Sequence, residues 1–144
     1  MDNTFVNPNN TRSEEQRAVY DQIIKDGVCP FCTENFLKYH TKPILKDGTY
    51  WIFTESAWPY EGTKQHFLIV SKRHVERIED LTAAEGADLV TMSGEIIKEH
   101  NVLGGALAMR FGKHANLKNS VAHLHAQIIE PDVNQPNHQG VRLP

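Results

Sequence analysis

Ser120-Val121-Ala122-His123-Leu124-His125-Ala126-Gln127 is the stretch whose reading decides the fold. Alternate residues of an extended strand share one face. His123, His125 and Gln127 therefore point one way, while Leu124, Ala126 and Ile128 point the other, toward a core. A row of two imidazoles and an amide is a poor recipe for packing alone, because each buried polar group needs a partner. The plain reading is a solvated strand face. Against it stand Ser120 just upstream, a loop over 112–119 containing Gly and Asn, and a separate polar cluster; together they mark a site.

Working outward, Leu103-Gly104-Gly105 turns into a strand over 106–111, and the histidine strand runs over 121–129 before Pro131 closes it. Thr82 with Glu85 has capping-box spacing and opens a helix to about residue 100, with Leu89, Met92, Ile96 and Ile97 on its buried side. Phe67-Leu68-Ile69-Val70 is a compact strand core with Ser71-Lys72-Arg73-His74 as its polar exit. Residues 55–64 form a loop carrying Trp58, Pro59, Tyr60 and Gly62. Strands over 43–45 and 49–54 flank the turn Lys46-Asp47-Gly48. Ser13 with Gln16 starts an earlier helix whose stripe is Val19, Ile23 and Ile24 and which ends near Gly27. The expected organisation is a polar, Asn-rich loose leader over 1–12, one α+β domain over 13–131 with a largely antiparallel sheet, and a tail over 132–144.

The chain of 144 residues is 40% hydrophobic and 8% aromatic, which fits one soluble domain with a proper core. No stretch approaches the roughly 18 apolar residues of a membrane span, and the start lacks a signal-peptide pattern, so no membrane partner and a cytoplasmic location are expected. A formal net charge of -3 offers no long-range attraction to a nucleic-acid backbone, so no extended nucleic-acid surface is expected. A small nucleotide remains compatible, because a few local cations and backbone amides suffice to hold phosphates.

Two chemistries suit these residues. An imidazole can attack phosphorus and form a phosphoramidate, while a hydroxyl or amide such as Ser120 or Gln127 holds the non-bridging oxygens. Gln127 does not titrate, so it orients or stabilises but is no general acid. Separately, Cys29-Pro30-Phe31-Cys32 has the spacing that lets two thiolates meet one tetrahedral metal ion. A redox pair and an inert reduced pair are the other readings. A zinc site needs two more ligands, and spacing alone does not choose among His40, His66, His74, His114, His123 and His125.

Cys29-Pro30-Phe31-Cys32, the run from His66 to His74 and the run from Ser120 to Gln127, in that order, resemble the histidine-triad (HIT) superfamily over roughly residues 29–131. The resemblance implies a HIT-like fold and a homodimer whose sheet extends across two subunits. It places the nucleophile at His125, a phosphate contact at Ser120 and the third signature position at Gln127. Glutamine there resembles the galactose-1-phosphate uridylyltransferase and dinucleoside polyphosphate phosphorylase branch. It further implies a structural zinc held by Cys29, Cys32, His74 and His123, with His66 supporting His125. For the nucleotide it points to Phe36, Ile52, Phe53 or Trp58 as walls of the base and ribose cleft and to Glu55 as the candidate ribose acid. Gly112 stands where relatives carry asparagine, so His114 or Asn116 would substitute. The expected activity is nucleotidyl hydrolysis or transfer at an α-phosphate through a nucleotidyl-histidine; the alternative is a catalytically weak, zinc-stabilised nucleotide-binding or interaction protein.

Overall fold

The computed structural model describes residues 5–112, 121–135 and 140–142. Helix α1 (Glu14–Asp26) and the single turn α2 (Phe36–Tyr39) precede a hairpin of β1 (Ile44–Asp47) and β2 (Trp51–Glu55). Then come β3 (Thr63–Ser71), a 3-10 turn (Ile78–Asp80), α3 (Ala83–Glu99), β4 (Ala106–Met109) and β5 (His125–Pro131). All five strands join one antiparallel sheet in the order β1-β2-β3-β5-β4. This is the α+β architecture that the order of elements implied.

Local chemistry sets the boundaries. The Ser13 side chain accepts from the Gln16 N–H, and the Gln16 side chain accepts from the Arg12 N–H at 2.8 Å. Gly27 ends α1 at φ 67°, a conformation glycine adopts without penalty. Thr82 and Glu85 complete a reciprocal capping box at the start of α3. At Gly105 a Cβ would stand 2.0 Å from the Ile129 carbonyl oxygen, so only glycine lets β4 close on β5.

The two faces of the sheet do different work. Phe67 and Ile69 of β3, Trp51 and Phe53 of β2, and Ala126 and Ile128 of β5 pack under Met92 and Ile96 of α3. Burial of this much apolar surface is the main stabilising term of the domain. The other face carries Ile52, Leu68 and Val70 against Phe36, and beside them the polar row of β5.

Four expectations are corrected here. Phe53 is a core residue, 1% exposed beneath α3, not a wall of the nucleotide cleft, because strand alternation turns it away from the face that bears His125. Phe36 and Ile52 are also core residues, in the cluster on the opposite face. Ile97 is 40% exposed, one position past the buried stripe of α3. Finally, β5 begins at His125 and not at 121. The preceding backbone donates to loops, with Ala122 N–H bonding to the Phe5 carbonyl and Leu124 N–H to the Val75 carbonyl, while the Leu124 carbonyl accepts from Ser71 N–H at the end of β3. That pairing also ties down the described part of the expected loose leader. Val6 is fully buried and bridges Val121, joining a cluster with Tyr20 and Ile23 of α1.

Candidate active site and metal cluster

His125 opens β5 on the face away from α3. Its Nδ1 lies 2.8 Å from the His123 carbonyl oxygen, which can only accept. Nδ1 therefore carries the proton and Nε2 carries the lone pair. Burial lowers the imidazole's pKa, so the ring is neutral near neutral pH. Phe31 packs edge-on against it at a centroid distance of 4.9 Å.

Two residues along the strand, Gln127 is oriented by a relay. The Tyr60 N–H donates to His66 Nδ1 at 3.1 Å, which leaves the proton on Nε2. His66 Nε2–H then donates to Gln127 Oε1 at 2.7 Å. The Gln127 amide nitrogen, a donor only, is thereby left for the pocket. Burial is the main cause that lowers the His66 pKa to about 4, which keeps this relay in one protonation state at neutral pH. His66 thus supports Gln127, where the sequence resemblance had it supporting His125.

His125, Gln127 and His66 line one cleft with Arg12, Trp58 and Arg110. Aromatic walls come from Tyr20, Phe31, Tyr39 and Tyr60. His40 closes another side, its Nε2 2.9 Å from Thr54 Oγ1 and its pKa lowered to about 4, chiefly by burial.

Cys29, Cys32, His74 and His123 converge beside this cleft, their ligand atoms all within 4.8 Å of one another. His123 Nδ1 is 3.3 Å from Cys29 Sγ, 3.8 Å from Cys32 Sγ and 3.2 Å from His74 Nδ1, and Cys32 Sγ is 3.4 Å from His74 Nδ1. Metal–donor bonds of about 2.0–2.3 Å at tetrahedral angles give edges of about 3.3–3.8 Å, so two thiols and two imidazoles here fit zinc. The outer partners fit as well. His123 Nε2 donates to the Ser71 carbonyl at 2.6 Å and His74 Nε2 faces Glu76 Oε2 at 3.3 Å, which leaves each Nδ1 for a metal.

Other expected site residues fall elsewhere. Trp58 lines the cleft. Glu55 faces Lys42 at 3.9 Å and borders a different depression. Gly112 donates its N–H to the Glu76 carbonyl at 2.8 Å and also sits in a separate depression, by His74 and Arg73. Ser120, Asn116 and His114 lie outside the described residues. Arg12, Arg110, Tyr20 and Tyr39 were missed by sequence reasoning. For Arg12 there was a signal, because a cation just before a helix N-terminus opposes the helix dipole and so asks for another reason to be there.

The fold and site define a small α+β domain whose antiparallel sheet bears a buried imidazole row beside a Cys/His cluster. The HIT domain family matches residues 43–133, and the chain belongs to that family. No curated protein matches the chain by sequence. Among solved structures it is similar to a HIT family hydrolase from Legionella pneumophila (TM-score 0.59, 15% identity, 78% of this chain and 100% of that one). It is also similar to a zinc-bound histidine triad family protein from Mycobacterium smegmatis (TM-score 0.57, 20% identity, 81% and 83%). A third is the diadenosine triphosphate hydrolase of Plasmodium falciparum (TM-score 0.51, 22% identity, 64% and 63%).

Proposed function

We propose that this chain is a nucleotidyl hydrolase or transferase acting at the α-phosphate of a nucleotide derivative through a covalent nucleotidyl-His125. The observation that carries this reading is the fixed tautomer of His125. The Nδ1 proton is held by the His123 carbonyl, and the Nε2 lone pair stands in the row with the oriented Gln127 amide. In the first step Nε2 attacks phosphorus, a P–N bond forms, and the P–O bond to the leaving group breaks with its electron pair going to that oxygen. The Gln127 amide N–H donors, and Ser120 by resemblance, stabilise the non-bridging oxygens. In the second step water or a phosphate acceptor attacks, the P–N bond breaks, and the acceptor's proton passes to solvent. Gln127 has no proton to give, which suits a polyphosphate leaving group better than an amine.

Cys29, Cys32, His74 and His123 would hold a structural zinc. Four protein ligands leave no open position, so its contribution is to tie the cysteine knuckle to the approach of β5. We assign a homodimer as well, supported by the single-sided pairing of edge strand β4 and by Leu107, 48% exposed upon it. No helix among the described residues is long and apolar enough to cross a membrane; a cytoplasmic location suits the reduced cysteine pair.

The test is to mix the protein with radiolabelled dinucleoside polyphosphates, nucleoside phosphoramidates and nucleotide sugars, quench rapidly, and isolate the protein. An acid-labile nucleotidyl adduct is expected, and His125→Ala should abolish it together with turnover. An adduct retained by His125→Ala would overturn the nucleophile assignment. Nucleotide binding with no adduct from any of the three classes would favour the catalytically weak binding protein.

A further inference from the structure

Gln16, Val19, Tyr20 and Ile23 of α1 line the cleft, at the spacing that puts them on one face of the helix. Phe31 and Tyr39 extend this aromatic and apolar wall, a surface suited to a flat ring. Gln16 is 2% exposed, and the two ends of its amide are not equivalent. The Arg12 N–H, which can only donate, lies 2.8 Å from Oε1. That bond fixes the amide with its oxygen toward the backbone and leaves the nitrogen, a donor only. Among the described residues no acceptor meets Nε2, and Gln16 borders the cleft, so the donor end is offered there. The surrounding chain is pinned. The Gln16 N–H donates to Ser13 Oγ at 3.0 Å, and the Arg12 guanidinium donates to the Trp58 carbonyl. Turning the amide over would present an acceptor to the cleft but set Nε2 against the Arg12 N–H. Two donors would then face each other, so Gln16 keeps one hydrogen-bonding sense.

We propose that Gln16 selects the base of the nucleotide, its Nε2–H donating to an exocyclic oxo group, so that hypoxanthine, guanine or uracil is preferred to adenine or cytosine. The inference rests on the nucleotidyl reading above and adds a specificity-determining residue to it. Gln16 precedes residues 43–133, the part of the chain that matches the family domain. Adenine and cytosine carry an amino group where hypoxanthine and uracil carry an oxygen. Against Gln16 that amino group leaves two buried donors without an acceptor, whereas the oxo group satisfies the amide. A site built to make one hydrogen bond discriminates against the analogue that does not complete it. The phosphate chemistry stays with His125 and Gln127.

The experiment is calorimetric titration of the full chain with two matched pairs of 5′-monophosphates, inosine against adenosine and uridine against cytidine. The parent should bind the oxo member of at least one pair at least about tenfold tighter than its amino partner, the difference one hydrogen bond makes. Gln16→Glu keeps an oxygen for the Arg12 N–H and turns the cleft donor into an acceptor, so it should reverse the preference toward the amino member. Gln16→Met, of similar size and without a donor, should bring the two members within about threefold of each other. Unfolding midpoints identify a variant that fails to fold, and either variant alone suffices for the test. Nucleotides that bind the parent with no preference in either pair, or with the amino members preferred, overturn the selection and leave the nucleotidyl reading standing. A preference that survives in both variants, or equal losses for both members of a pair, overturns the role of Gln16 in the same way. Should none of the nucleotides bind, the nucleotidyl reading falls and the inference falls with it.

Discussion

Gln127 has two ends, and His66 takes one of them. Because the His66 Nε2–H occupies Oε1, the amide nitrogen is the end that a substrate oxygen would meet. Gln127→Glu separates these ends: it keeps an oxygen for His66 and turns the pocket donor into a negatively charged acceptor. We expect kcat/KM to fall by about 10² or more, with the unfolding midpoint nearly unchanged; unaltered kcat/KM would mean that the amide nitrogen touches no phosphate oxygen. At this scale the chemistry of the site was legible in part. His125, Gln127, His123 and the Cys29/Cys32 pair are local patterns, and the structure gathers His74 and His123 with the cysteines as the resemblance implied. The signal at Arg12 was weak, because an arginine in an Asn-rich leader looks like solvent-facing charge until Val6 is seen to be fully buried. The partner of His66 was hidden too, since register between β3 and β5, here Leu68 opposite Gln127, is not written in either strand alone.

The start of α3 shows how an element serves a site it does not touch. Glu85 is buried, accepts from Arg73 Nη2 at 2.8 Å and Nε at 3.2 Å, and accepts the Thr82 N–H at 2.9 Å. Arg73 immediately precedes the ligand candidate His74, so the helix cap also anchors the exit of β3. The Arg73 guanidinium, followed by the Thr82 N–H, holds the Glu85 carboxyl at about 2, against 4.5 ordinarily. A depressed carboxyl pKa stabilises the folded state above about pH 4.5, and the contribution fades as pH falls toward 2. Glu85→Gln should therefore cost about 1 kcal/mol near neutral pH, the half-exposed arginine limiting the value. Urea unfolding of both proteins at descending pH should show the gap closing below about 4.5; a gap independent of pH would refute the ion pair as its source. Elements were the most legible level. Both capping sequences and the compact apolar run Phe67-Leu68-Ile69-Val70 of β3 are short-range signals. Phe53 was misplaced because the run Trp51-Ile52-Phe53 is apolar on both faces, and such a run does not say which face a ligand would see.

The metal cluster is a property of the whole molecule, because Cys29 and His123 are 94 positions apart. Protein purified without added metal should contain one zinc per chain, by elemental analysis. Chelation or Cys32→Ser should lower the unfolding midpoint and speed amide exchange in residues 5–35, since metal affinity is also folding free energy. Full protection in a metal-free protein would reject the site. Global connectivity was the least legible level, for the bridge from Val6 to Val121 and the anchoring of α1 join segments that are strangers in sequence. The position of β5 in the sheet has a further consequence, which concerns time. This strand is the final described element in chain order, yet it lies between β3 and β4, and β4 has no other neighbour. During synthesis β1, β2 and β3 can assemble as they emerge, whereas β4 must wait beside an empty lane. The cysteine knuckle waits as well, since His123 arrives just before β5. A ribosome-bound chain thus displays an open sheet flank until the very segment that carries the candidate nucleophile is released, and that segment is the one whose arrival closes the fold.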